Sequence, residues 1–325
     1  MQGQRDSGTK IMSGVSNEIP PCTKCGSPSI IFQPYSGLHL CKKHFIEDVE
    51  RKVKRRIRKF RMIKPGDKIA VALSGGKDSS ALLILLKKIT EMRKDVEIVA
   101  LSVDEGIADY RPKTLETAKL LTSRLKVPHI IRSFEDEYGV HLDELIKRSK
   151  KRGGWVGGCS LCGVLRKRLL NTISRDIGAT KLAVGHNLDD EAQTILMNYL
   201  KGDIERLLRL SPKREKEGFV PRIKPLAEVP EREVALYSLL HGIDIEHLEC
   251  PYASESYRFD VRDFLNYFEF EHPGTKYSLL RGYEKLMNEM DTLPRKPFKL
   301  SLCMRCGEPT SGKVCKVCEL LEGLI

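Results

Sequence analysis

Ile69-Ala70-Val71-Ala72-Leu73-Ser74-Gly75-Gly76-Lys77-Asp78-Ser79 decides the fold of this chain. An apolar strand pattern over 69–73 breaks at Ser74-Gly75-Gly76, and an apolar helix pattern follows over 80–92. Two consecutive glycines let the backbone close tightly round an anion. The free N–H groups of the helix start then point at that anion. Ser74 and Ser79 bring hydroxyls, Lys77 brings charge, and Asp78 brings a carboxylate able to hold Mg²⁺ beside phosphates. A plain strand–turn–helix corner requires none of this chemistry. The spacing also differs from the G-x-x-x-x-G-K-[ST] loop of kinases and GTPases.

Outward from this loop the pattern alternates. Strands are predicted over 96–103, 129–134 and 181–184, and helices over 112–125, 142–151 and 191–200. Such alternation predicts an α/β protein with a parallel sheet wound on both faces. Val103-Asp104-Glu105-Gly106 then ends one strand at the carboxyl edge of the sheet, where ligands bind. Gly185-His186-Asn187-Leu188-Asp189-Asp190-Glu191 ends another. A carboxylate pair at a helix start can hold Mg²⁺ or act as a base. N-capping and compensation of the helix dipole is its ordinary alternative. Residues 203–291 read as mostly helical around a charged, Pro-containing loop at 211–225, and 294–302 as a linker.

The chain has 325 residues, and at about 150 residues per domain this suggests two domains. With 41% hydrophobic and 31% charged residues it is a globular composition, which excludes a wholly disordered chain. The longest apolar run, 81–86, is too short for a membrane span. Residues 1–21 read as a disordered tail without the apolar core of a secretory signal, so a cytoplasmic location is expected. The balance of 56 Lys+Arg against 44 Asp+Glu leaves +12, which serves solubility or a polyanionic partner. Part of it is concentrated: eight of the eleven residues from Arg51 to Arg61 are basic. They alternate with Phe45, Val49, Val53, Ile57 and Phe60, which steps of three and four place on one face of a helix over 45–61.

Ten cysteines fall in three groups. Cys22, Cys25, Cys41 and His44 make one complete four-ligand set, and Cys303, Cys306, Cys315 and Cys318 another. Both suit closed, structural Zn²⁺ sites, with Gly26 and Gly307 supplying the tight turns after the knuckles. Small modules of this kind need such a staple. The third group, Cys159, Cys162 and Cys250, has only three members. Three thiolates can hold three irons of a 4Fe–4S cluster with the fourth open, bind Zn²⁺ with another ligand, or act as redox thiols carrying persulfide sulfur. The expected division is a tail (1–21), a zinc finger (22–44), a basic linker helix (45–64), a catalytic domain with a helical C-terminal part (65–293) and a zinc ribbon (294–325).

SGGKDS between two zinc modules, C-x-x-C-G at 159–163, GHNLDDEA at 185–192 and Cys250-Pro251-Tyr252-Ala253 together resemble the tRNA 2-thiouridine synthetases of the TtcA/TtuA family, PP-loop ATP pyrophosphatases. The resemblance spans about 22–318, with 32–45, 272–276 and 281–283 also similar to family segments. It implies a doubly wound, HUP-like PP-loop ATPase domain flanked by zinc modules. It implies that Ser74, Gly75, Gly76, Lys77, Asp78 and Ser79, with Val103, Asp104, Gly185, Asp189 and Asp190, bind ATP and Mg²⁺. ATP would adenylate the C2 oxygen of a tRNA uridine, and sulfur on the open iron of a cluster at Cys159, Cys162 and Cys250 would displace AMP. Asp189 matches the proposed catalytic aspartate. Arg166 stands where many enzymes of the T-loop uridine carry Lys, which points to the wobble uridine. The alternatives are the T-loop uridine and a non-thiolating enzyme of lysidine-synthetase type. Implied partners are tRNA, bound in part by the helix over 45–61, a sulfur donor (sulfide or a ubiquitin-like thiocarboxylate carrier protein), and a second copy of the chain in a homodimer.

Overall fold

The computed structural model describes residues 19–152, 157–210, 218–243, 250–252, 257–290 and 300–324. The expected tail up to residue 18, the loop up to 217 and the linker up to 299 lie outside the described residues. The chain divides into two compact units, Met1–Glu47 and Asp48–Ile325.

In the first unit a hairpin of β1 (Ile31–Gln33) and β2 (Leu38–Leu40) turns at Gly37, whose φ of +68° suits glycine. Helix α1 (Lys42–Lys59) begins directly after Cys41.

The second unit is built on β3 (Lys68–Ala72), α2 (Lys77–Thr90), β4 (Glu97–Asp104), α3 (Arg111–Leu125) and β5 (His129–Ser133). The chain continues through α4 (Phe134–Tyr138), α5 (Leu142–Lys151), α6 (Gly158–Asp176), β6 (Lys181–Ala183), α7 (Leu188–Leu200), α8 (Ile204–Arg209) and β7 (Arg222–Ile223). It ends with α9 (Glu231–Leu240), α10 (Arg258–Glu271), α11 (Thr275–Met290), the β8 (Ser301–Leu302) and β9 (Pro309–Thr310) pair, and α12 (Lys316–Leu321).

The five-stranded sheet has the order β5-β4-β3-β6-β7, and every pairing in it is parallel. The chain moves outward from β3 to β5, returns to the other side of β3 with β6, and moves outward again to β7. The strand order therefore reverses between β3 and β6. A doubly wound sheet opens its ligand crevice at such a point, beyond the strand carboxyl ends. The loop 74–76 after β3 and the loop 184–187 after β6 both leave the sheet there.

Two helices start earlier than the pattern alone indicates. Gly76 is extended and lets α2 begin at Lys77, and Asn187 caps α7 so that it begins at Leu188. Strand β7 lies inside the segment expected to be a loop; two residues after Pro221 are too few to register as a strand pattern.

Helix α2 buries Leu82, Leu83, Leu85 and Leu86 completely. Replacing one such leucine by alanine costs about 2–5 kcal/mol. A second core lies around α6, where Leu161, Leu165 and Leu169 pack with Val99, Leu101 and Leu182 of the sheet. Cys303, Cys315 and Val317 join this same core, so the C-terminal ribbon is seated on α6. Arg175 pairs with Glu308 across that contact, and Gly218 lies against Pro309.

Candidate active site

The loop after β3 is shaped by contacts that reject side chains. Gly75 has φ +87°, and a Cβ there would stand 1.8 Å from the Thr114 carbonyl oxygen. The Ser74 N–H donates to Ser79 Oγ at 3.1 Å, Ser79 Oγ donates to the Gly76 carbonyl at 3.0 Å, and the two seryl oxygens are 3.0 Å apart. No side chain caps α2, so its first N–H groups stay available to an anion. Lys77 Nζ is 3.0 Å from Asp78 and 2.8 Å from Glu231. Burial works against its charge, but the Asp78 and Glu231 carboxylates outweigh it and hold the ammonium above its ordinary range.

The loop after β6 is tied to this one. Gly185 passes so close that a Cβ would meet the Asp78 carbonyl carbon and the Ser79 nitrogen at 3.0 Å. Asn187 caps α7 with its carbonyl oxygen, accepting from the Asp190 N–H at 3.0 Å, and its NH₂ donates to Asp78 at 3.0 Å. Asp190 completes the capping box by accepting the Asn187 N–H at 3.2 Å. Burial raises the Asp190 carboxyl from 3.8 to about 6, helped by the negative charges of Asp78 and Glu231.

The neighbouring aspartate, Asp189, is the one that the resemblance makes catalytic. Asp189 is buried, accepts the Glu231 N–H at 2.7 Å with one oxygen, and pairs with buried Lys276 through the other. Asp190 is thus the member of the pair whose carboxylate borders Asp78 and the phosphate loop. Asp189 anchors the start of α9 and, through Lys276, α11.

At the end of β4, Val103 is buried and Asp104 accepts the Gly106 N–H at 2.9 Å. The next residue, Glu105, is buried and pairs with buried Arg111 at 2.9 Å. Arg111 in turn donates to the Ser74 carbonyl at 2.6 Å. Glu105 also meets Arg166 at 3.4 Å. A chain of charges thus runs from the phosphate loop to α6, the helix that carries two of the middle cysteines. Glu105 belongs to the edge motif legible in the sequence, but nothing local gives it this role or marks Arg111 as its partner.

Cys159 and Cys162 occupy the first turns of α6, and Cys159 Sγ donates to the Tyr252 carbonyl at 2.9 Å. That bond brings the segment of Cys250 to the start of α6. Gly158 makes room for it, since a Cβ would stand 3.2 Å from that of Tyr252. Cys162 is buried, Cys250 half-buried and Cys159 exposed. Burial, with the charges of Glu105, Cys250 and Cys159 and against Arg166, pushes the Cys162 thiol up to about 12.

The outer cysteine sets differ in geometry. Among the described residues, two sets of Cys/His ligand atoms lie within 4.8 Å of one another: Cys22, Cys25, Cys41, His44 and Cys303, Cys306, Cys315, Cys318. Cys25 and Cys41 are 3.7 Å apart and Cys306 and Cys315 3.6 Å. Tetrahedral Zn–S bonds of about 2.3 Å require sulfur–sulfur distances of about 3.8 Å, so both sets fit a closed zinc site. Gly26 (φ +74°) and Gly307 (φ +70°) turn the knuckles as expected. Arg168 donates to Cys306 and Cys315 at 3.6 and 3.9 Å, offsetting thiolate charge. The middle three cysteines do not converge to that spacing. A cubane holds each thiolate on a separate iron, further apart than one ion does, and the middle set is compatible with that demand.

The basic helix buries two of its cations, Lys52 and Arg56, and keeps Arg51, Lys54, Arg55, Arg58, Lys59 and Arg61 exposed. Lys52 pairs with Glu233 at 2.7 Å, Arg55 with Glu228 at 2.7 Å, and Lys59 with Glu284 at 2.7 Å. Arg56 is buried between Glu228 and Glu284. Carboxylates distant in sequence take up much of its charge.

A glycine loop at the switch point, running into a helix that no side chain caps, with a carboxylate-bearing loop beside it, is the arrangement of a PP-loop ATP-binding protein. Residues 47–265 match the PP-loop domain family, and 22–46 the N-terminal LIM domain of the 2-thiouridine synthetase TtuA. The chain is 38% identical to the tRNA 2-thiolation protein NcsA of Haloferax volcanii, over 93% of this chain and 98% of that one. It is 35% identical to cytoplasmic tRNA 2-thiolation protein 1 of Xenopus laevis, over 93% and 88%. The solved structure of the U34-tRNA thiolase NcsA from Methanococcus maripaludis with its 4Fe–4S cluster superposes with a TM-score of 0.81 at 35% identity, covering 95% of this chain and 97% of that one. The chain belongs to the tRNA 2-thiolation protein family.

Proposed function

We propose that this chain is an ATP-dependent tRNA-uridine 2-sulfurtransferase of the wobble position, working in the cytoplasm. The observation that carries the reading is the convergence of two sites at one sheet edge: the phosphate loop 74–79 and the three cysteines, joined through Arg111, Glu105 and Arg166. Adenylation alone needs only the first. The likeness to the U34-tRNA thiolase supports both the chemistry and the position.

ATP lies with its terminal phosphates against the N–H groups of α2, the hydroxyls of Ser74 and Ser79, and Lys77, and with adenosine beside Val103 and Asp104. Asp78 and Asp190 would hold Mg²⁺ on the phosphates. The C2 oxygen of the uridine attacks the α-phosphorus, the α–β bridging bond breaks, and pyrophosphate leaves as these donors take up its charge. Sulfur then adds at C2, and the C2–O bond breaks to release AMP with the oxygen. Cys159, Cys162 and Cys250 would hold a 4Fe–4S cluster, which when bound supplies an iron free of protein ligands to present that sulfur. Glu105 keeps the loop and the cysteine helix in register, and Arg166 lies beside Cys162 where negative sulfur must approach. The two outer sets hold structural Zn²⁺. The sulfur is brought by sulfide or by a thiocarboxylate carrier protein, and the working form is a homodimer.

The test is nucleoside mass spectrometry of tRNA from a strain lacking the gene. Loss of wobble 2-thiouridine, restored by the wild-type gene but not by Lys77→Ala or Cys162→Ala, is expected. Loss of 2-thiouridine from the T-loop alone would move the position, and loss of neither would overturn the activity.

A further inference from the structure

The exposed cations of α1 are not the only ones open to an RNA substrate. The carboxyl edge of the sheet between α6 and β7 gathers several from four segments. Most are committed: Arg166 meets Glu105 at 3.4 Å, Lys224 is 2.7 Å from Glu191, and Arg258 is 3.6 Å from Asp190. Two are not. Lys167, on α6, and Arg222, on β7, are both exposed. Arg222 donates to the Lys167 backbone carbonyl at 3.2 Å, which fixes the two side by side. Among the described residues neither has a carboxylate partner. His186, in the loop that touches Asp78, is open to solvent and borders the same group, 3.8 Å from Glu191.

We propose that Lys167 and Arg222, with His186 at their margin, form a subsite for a phosphodiester of the RNA strand that carries the target uridine. This rests on the reading of the chain as a tRNA-thiolating enzyme. The placement gives the subsite its use. Lys167 follows Arg166 on the helix of Cys159 and Cys162, and His186 lies between Gly185 and Asn187, both in contact with the phosphate loop. A strand held there passes between the site of adenylation and the cysteines. The electrostatics agree with an anion as the missing partner. Crowding by neighbouring segments strips water from part of each side chain, and with the nearby Arg222, Arg166, Lys224 and Arg258 it holds the Lys167 ammonium below its ordinary range; the same loss of hydration lowers Arg222. Loss of hydration and the cations Lys224, Arg258, Lys167 and Arg222 hold the His186 imidazole well below its ordinary range. Lys167 and Arg222, which no carboxylate pairs among the described residues, are repelled by these cationic neighbours, and a bound phosphate relieves that repulsion. Both side chains reach solvent, so neither is needed for packing.

The test uses the full-length protein and a fluorescent anticodon stem–loop RNA, with affinity measured by anisotropy over a series of salt concentrations. Lys167→Ala and Arg222→Ala should each weaken RNA binding several-fold and make the log–log salt slope shallower by about one. Lys167→Arg should restore both quantities. ATP affinity without RNA, and the melting temperature, should stay at wild-type values. Loss of ATP affinity with RNA binding intact would overturn the proposal and give the cations to the nucleotide's phosphates. Unchanged RNA affinity and slope in both variants, with the wild type binding normally, would overturn the subsite alone. Failure of the wild-type protein to bind the RNA or intact tRNA would overturn the parent reading and the subsite with it.

Discussion

Glu105 and Arg111 form a buried ion pair 2.9 Å long, and Arg111 hands the restraint on to the Ser74 carbonyl. The conformation of the phosphate loop is thus set by a carboxylate on the neighbouring strand's exit. Removing Arg111 leaves the buried Glu105 carboxylate only the longer contact with exposed Arg166, so Arg111→Ala should destabilise the protein, by up to about 3–5 kcal/mol in urea unfolding. The double variant Glu105→Met/Arg111→Met should regain most of that stability and still bind ATP poorly, because nothing then holds Ser74. Normal ATP affinity in the stable double variant would reduce the pair to a packing role.

The two loop glycines should not be equivalent. Gly75→Ala places a Cβ 1.8 Å from the Thr114 oxygen at a φ of +87°, whereas at Gly76 the nearest atom is Ser74 Oγ at 3.5 Å. Gly75→Ala should abolish ATP binding by calorimetry. Gly76→Ala should keep the fold and weaken ATP binding less. Equal losses would mean that the loop reshapes freely.

Arg56 tests what α1 is for. It lies buried between Glu228 and Glu284, so Arg56→Glu brings three carboxylates together. The expected loss is at least about 3–5 kcal/mol of stability. Thermal melting should register it before any RNA measurement does. A variant as stable as wild type but defective in RNA binding would return this helix to the RNA.

The phosphate loop, the two zinc sets and the α/β alternation were legible because each is local: a few adjacent residues carry the chemistry, or a period carries the element. The pairings that organise the site were not. Asp189 and Lys276 are 87 positions apart and Arg56 and Glu284 are 228 apart, and no pattern in the chain links them. The same limit hides which cations of α1, Lys52 and Arg56, are buried. A run of Lys and Arg looks alike in sequence whether it faces water or carboxylates from α9 and α11. It also explains Asp189 and Asp190, which are adjacent in sequence but point to different partners once α7 forms. Strand β7 escaped notice because its two residues belong to the sheet through Leu182 and Ala183, not through their own character.

Asp190 should leave a pH signature. Its carboxyl titrates at about 6 in the folded protein against 3.8 ordinarily, so the folded state keeps its proton longer than the unfolded one. An acid raised in this way weakens the fold as pH rises from about 4 through 6, and the penalty is complete above. Asp190→Asn should therefore raise the melting temperature of the nucleotide-free protein at pH 7.5, with the gain shrinking as pH falls below 6, while thiolation is lost. A gain independent of pH would deny the raised carboxyl, and retained thiolation would remove Asp190 from the site.

The central claim is that the uridine oxygen leaves on AMP. A tRNA carrying ¹⁸O at C2 of the wobble uridine, incubated anaerobically with the reconstituted protein, ATP and sulfide, tests it directly. The expected result is one ¹⁸O in the phosphate of AMP for each 2-thiouridine formed. Thiolated tRNA accompanied by unlabelled AMP, with the ¹⁸O in water or inorganic phosphate, would contradict it.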